Sequence, residues 1–150
     1  MNTEDKIQIV GLSSSYEAFG MVIDFLSRTE TFNSFALDAL TAAVRRQLAN
    51  GYNLAAISDN EIIGYIGWLF TTKEQAEDWM EGRGLLKPCD KEHATAAALT
   101  IIASTDRGAT TRLIRGARAT HKDIQVYFKR GYDTSLKLSR KSHVLSTSYT

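Results

Sequence analysis

The stretch TIIASTDRGATTRLIRGAR (100–118), followed by IQVYFKR (124–130), most constrains how this chain can fold. Apolar and β-branched residues up to Ile102 suit a strand, and the polar run around Gly108 suits a turn. From about Thr110 to Thr120 the spacing of Leu113, Ile114 and Ala117 suits an amphipathic helix. Strands joined through such a helix lie parallel, because the crossover returns the chain to the same end of the sheet. The spacing predicts a strand ending near Ser104, a turn at 105–109 and a helix starting within two residues of Thr110.

A second constraint comes earlier. NLAAIS (53–58), Asp59 and Asn60, then EIIGYIGWLF (61–70) form a strand, tight turn, strand pattern whose halves pair antiparallel. The sheet is therefore mixed, with Trp68 at least partly buried. Gly64 and Gly67 mark a bulge or a close backbone approach. Before the hairpin, IQIV (7–10) suits a short strand. The cluster Ser13 to Ser15 offers caps for a helix carrying Tyr16, Phe19, Val22, Ile23 and Leu26. Phe35, Leu37, Leu40, Val44 and Leu48 then form a second amphipathic series, closed at Asn50 and Gly51.

After the hairpin, TTKEQAEDWMEG (71–82) predicts a short helix ending at Gly82. The loop 83–93 holds the only proline, Pro88, and is expected to be the most mobile segment. In ATAAALTIIAS the second half reads as strand, and weaker strands are expected between Ser135 and Ser148. The resulting fold class is α/β (α+β), a mixed, twisted central sheet with helices on both faces.

Composition excludes several classes. The 150 residues suit one domain, 1–150, and a chain this long buries roughly 68–70% of its unfolded surface without a staple. One cysteine, Cys89, and three separated histidines offer neither a disulfide framework nor a zinc spacing, so no metal is expected. There is no apolar run of membrane-spanning length and no signal-peptide pattern at the start, which predicts a cytoplasmic protein. Charge is lopsided: up to residue 105 there are 8 Lys and Arg against 14 Asp and Glu, beyond it 10 against 3, so −6 and +7. The basic last third favours an anionic partner or is simply a solvated face.

The order of elements, AISDNEIIGYIGWLF and STDRGATTRLI together resemble the GNAT superfamily of N-acyltransferases over most of the chain. The first resembles the superfamily's early hairpin. The second resembles its carrier-binding turn, although the superfamily's usual Gln or Arg three residues before a glycine is Thr105 here. QLANGYNLA (47–55), IGWLF, AEDWMEG and TIIASTDRGATTRLIR more narrowly resemble the RTX toxin-activating lysine acyltransferases. That resemblance implies transfer of a fatty acyl chain from acyl carrier protein to protein lysines. Its catalytic pair does not carry over: this chain has no histidine before His93, and the family's aspartate aligns with Thr100.

The residues can also be read for chemistry directly. A helix N-terminus presents unpaired N–H groups and a positive dipole end, so Gly108, Ala109 and Thr110 could hold a pyrophosphate, with Arg107 and Arg112 adding charge. Equally, Gly108 could serve only the turn. The donor would be acetyl-CoA, another acyl-CoA, or acyl carrier protein phosphopantetheine, and the acceptor an amine, on a protein lysine or a small molecule. By analogy with GNAT enzymes, Tyr132 in YFKRGYD supplies the proton to the leaving thiolate, with Tyr127 second; both could be packing tyrosines. Glu61, Glu74 and Glu77 could act as base or be solvated. Arg112, Arg115, Arg118 and Lys122 make a basic face, solvated or able to dock an acidic carrier protein or, less readily, nucleic acid. The alternative to an enzyme is a non-catalytic GNAT-like interaction or virion structural protein, and the third reading is a nucleic-acid binder using the basic last third.

Overall fold

A computed structural model describes residues 6–129. The elements run β1 (Gln8–Val10), α1 (Tyr16–Ser27), α2 (Leu37–Asn50), β2 (Asn53–Ser58), β3 (Glu61–Thr71), α3 (Lys73–Met80), β4 (Ala96–Ser104), α4 (Arg107–Thr120) and β5 (Gln125–Phe128). The strands form one twisted sheet in the order β1-β2-β3-β4-β5. The first three ladders are antiparallel, and β4–β5 is parallel, from Ala96↔Gln125 to Leu99↔Phe128.

The β2–β3 hairpin turns on Asp59 and Asn60, at φ 51° and 63°. Two successive left-handed residues give the turn whose twist matches that of the flanking strands, and Asp and Asn tolerate that conformation. Gly51 closes α2 at φ 74°, as its place after Asn50 predicts.

Helices lie on both faces. On one, Val22, Phe25 and Leu26 of α1 and Leu40, Val44 and Leu48 of α2 bury Ala55, Tyr65, Ile101 and Ala103. Farther along the same face, Ala76 and Met80 of α3 cover Ala96 and Tyr127. On the other face, Ala109, Leu113 and Ala117 of α4 cover Ala56, Ile66, Trp68, Ala97 and Leu99. A Cβ on Gly64 would come within 2.9 Å of Leu113 Cδ1, so this glycine lets α4 sit close to β3.

Four expectations need correction. Helix α4 starts at Arg107, earlier than the window around Thr110, because Asp106 caps it; the turn shrinks to Thr105 and Asp106. β4 starts at Ala96, so the alanines join the strand: Ala96, Ala97 and Ala98 are fully buried between flanking strands and helices, and tertiary packing overrides alanine's helix propensity. Tyr16 is 95% and Leu37 70% exposed, each as the first residue of its helix rather than part of the buried stripe. Phe35 lies before α2, its ring tilted against Phe32 with centroids 4.9 Å apart. The weaker strands expected between Ser135 and Ser148 lie outside the described residues.

Candidate active site

The β4–α4 corner is tied down by its own polar side chains. Ser104 Oγ accepts from the Asp106 amide at 3.0 Å and donates to the Asp106 carbonyl at 2.6 Å. Thr105 donates twice to the carbonyl of Ile63, from its amide at 2.9 Å and its hydroxyl at 3.3 Å. Ile63 is the extra residue of a bulge in β3, between the pairs Ala56↔Gly64 and Ile57↔Ile62. Thr105, at the position that departs from the superfamily pattern, thus fastens the corner to the neighbouring strand.

Beyond it, Asp106 Oδ1 accepts from the amides of Gly108 at 2.7 Å and Ala109 at 3.3 Å. The Thr110 amide donates to the Asp106 carbonyl at 3.1 Å. The three amides nominated for a pyrophosphate are therefore all engaged within the corner, two of them by a carboxylate at the position an anion would take. Arg107 is exposed and Arg112 half-buried. Asp106 escaped the sequence reading although its signal was present: an Asp directly before a helical run is an N-cap pattern.

A second polar cluster lies down the same strand. Gly67 pairs with Ile101 and Trp68 with Leu99, which makes Thr100 the bulged residue of β4. Thr100 is also the first residue past the described β4–β5 pairing, roughly 13 Å from Ser104 at ~3.3 Å per residue. Above it, the buried Gln47 of α2 donates from Nε2 to Thr100 Oγ1 at 3.3 Å and accepts at Oε1 from the Tyr65 hydroxyl at 2.8 Å. A Cβ on Gly67 would overlap the Gln47 carboxamide. Burial raises the Tyr65 phenol's pKa, so it stays protonated and remains a donor. Asn53 steadies the end of α2, donating to the Gln47 carbonyl at 3.3 Å while holding Leu12 by both its amide and its carbonyl. This cluster also escaped the sequence reading. Its signal was a glutamine on the apolar stripe of α2, three residues past Val44.

Tyr127 belongs to neither cluster. It pairs with Ala98, about 20 Å along β4 from Ser104, and is 2% exposed beneath α3. Its hydroxyl contacts Gln125 Oε1 at 2.7 Å and Glu77 Oε2 at 3.4 Å, and burial, then the Glu77 charge, push its pKa up to about 12. Tyr132 lies outside the described residues. On the outside of α4, Thr111, Ile114, Arg115, Arg118 and Ala119 line an open hollow of about 500 Å³. Among the described residues, no group of three or more His, Cys, Asp or Glu could hold a metal ion, and no helix is long and apolar enough to cross a membrane.

The mixed five-stranded sheet with helices on both faces matches the fold of solved GNAT-family structures. Among solved structures, the chain is similar to the mosquito arylalkylamine N-acetyltransferase like 5b, with 13% identity over 89% of this chain and 80% of that one, at a TM-score of 0.60. It is similar to the loading GNATL domain of CurA from Lyngbya majuscula, with 12% identity over 82% of this chain and 64% of that one, at 0.59. A GNAT-family acetyltransferase from Streptococcus agalactiae 2603 matches at 15% identity over 83% and 76%, at 0.58. At such identities the likeness establishes the fold. No family model and no curated protein matches the chain.

Proposed function

We propose that this protein moves an acyl group from a phosphopantetheine thioester, on CoA or on acyl carrier protein, to an amine. The observation that carries the proposal is the alignment of two features on one stretch of β4. The N-terminus of α4 stands at its end and the Thr100 bulge roughly 13 Å back, with the described β5 pairing, Ala96 to Leu99, ending just before the bulge. A carrier arm extended along β4 with its phosphates at α4 would bring its thioester to the bulge, and bulges re-aim the backbone beside active sites.

In this reading Arg107, Gly108, Ala109, Thr110 and Arg112 receive the phosphates, and the Asp106 carboxylate must swing off the Gly108 and Ala109 amides to admit them. Tyr132 supplies the proton to the leaving thiolate. Tyr127, buried and already bonded to Gln125, suits that task less well. The resemblance to the toxin-activating acyltransferases favours acyl carrier protein as donor and a protein lysine as acceptor. The arylalkylamine N-acetyltransferase neighbour favours a small amine.

Calorimetric titration with acetyl-CoA, and separately with acylated carrier protein, tests the proposal: micromolar binding of either supports it. The second reading, a GNAT-like fold serving as an interaction or virion structural module, is favoured by Asp106, whose carboxylate satisfies the corner without any ligand. Binding of neither donor would establish that reading instead.

A further inference from the structure

Resting on the thioester reading above, we infer that the Thr100 hydroxyl is the hydrogen-bond donor that polarises the acyl carbonyl, with Gln47 and Tyr65 as the positioning residues that orient it. A carboxamide can face either way round, so its orientation must come from its neighbours. Tyr65 is fully buried, and Gln47 is its hydroxyl's hydrogen-bond partner among the described residues. A buried phenol proton needs an acceptor, and the only acceptor on Gln47 is Oε1. That turns Nε2 toward Thr100, whose oxygen accepts it at 3.3 Å. Since Nε2 occupies a lone pair of Thr100 Oγ1 and can only donate, the threonine's own proton points elsewhere. Thr100 is half-buried, on the bulge, and just past the last described β5 pairing, so a thioester carbonyl brought to that stretch of strand would be the acceptor for its proton.

The chemistry is balanced without further reagents. A neutral amine attacks the thioester carbon; a C–N bond forms and the carbonyl π pair moves onto oxygen. The Thr100 O–H bonds to that oxyanion and keeps its proton. Collapse re-forms the carbonyl and breaks C–S, the pair leaving on sulfur, and the proton released by nitrogen ends on the thiolate. Thioester and amine give amide and thiol.

Isotope-edited infrared spectroscopy of acetyl-CoA carrying ¹³C at the thioester carbonyl reads this bond directly, without turnover. Bound to wild type and to Thr100→Ser, the carbonyl band should fall below its position in an aprotic solvent. Bound to Thr100→Val, which keeps the shape and the backbone amide, it should move back toward that position, with affinity changed less than tenfold. Tyr65→Phe, which frees the carboxamide to flip, should give an intermediate or broadened band. An unchanged band in a folded, acetyl-CoA-binding Thr100→Val protein overturns the role of Thr100 while leaving the donor reading intact. Should the wild type bind only acylated carrier protein, the same label on that thioester reads the bond; failure to bind either donor removes both.

Discussion

The Gln47 carboxamide occupies the space that a side chain on Gly67 would fill, joining a helix residue and a strand residue twenty positions apart into one packed unit. Gly67→Ala should therefore destabilise the fold by about 1–3 kcal/mol, the range for overpacking a filled core. Adding Gln47→Ala should recover part of the loss, because the two changes relieve one contact. Urea denaturation of the two single variants and the double variant measures the coupling; strict additivity would mean that Gln47 leaves its seat at no cost.

Asp106 should act on stability and on donor binding in opposite senses. Asp106→Ala removes the cap of α4 and should cost about 0.5–2 kcal/mol. Asp106→Asn keeps an acceptor for the Gly108 and Ala109 amides but deletes the negative charge, so acetyl-CoA should bind it more tightly than wild type. Arg107→Ala, at an exposed position, should weaken binding by about 1–3 kcal/mol. Calorimetry on these variants decides where the phosphates sit: affinities that do not move with either residue exclude the α4 terminus.

His121 makes stability sensitive to mild acid. It is 6% exposed, its ring standing edge-on to Trp68 at 4.7 Å and to Phe70 at 5.3 Å. Burial, and secondarily the Lys91 charge, hold its pKa down at about 4, against an ordinary value of 6.5. Below pH 6.5 the unfolded chain takes up a proton that the folded protein refuses until about pH 4. Stability is thus full above 6.5 and falls across that window. Urea midpoints at pH 7 and pH 4.5 should separate more in wild type than in His121→Phe. Equal separation would move the acid sensitivity to other groups.

Much of the fold was legible because local and global signals agreed. Asp59 and Asn60 both demanded and tolerated left-handed backbone, so the hairpin and the burial of Trp68 followed from sequence. Ala96 to Ala98 misled, because their propensity is helical while their small size is what a crowded central strand needs. The site was less legible. Gly108 marked the corner, but whether its amides were available depended on Asp106, a side chain whose bonds appear only in three dimensions. The Thr100 cluster was hidden more deeply. Its three polar residues come from α2, β3 and β4, and its seat is a missing Cβ on Gly67, so nothing local in the sequence joins them.

The two-residue turn at Asp59 and Asn60 also bears on the order of events when the chain folds. β2 and β3 are the only neighbours in the described sheet joined by a tight turn; β1, β4 and β5 each join after a much longer loop has closed, at greater entropic cost. A hairpin of this kind forms in microseconds, whereas parallel pairing across a helix is slow. The hairpin should therefore be the folding nucleus and β5 a late arrival. Mutations at Ile62 or Ile66 should then slow refolding, while one at Val126 should chiefly speed unfolding. Under conditions that loosen the native state, β5 should be released while the hairpin still holds.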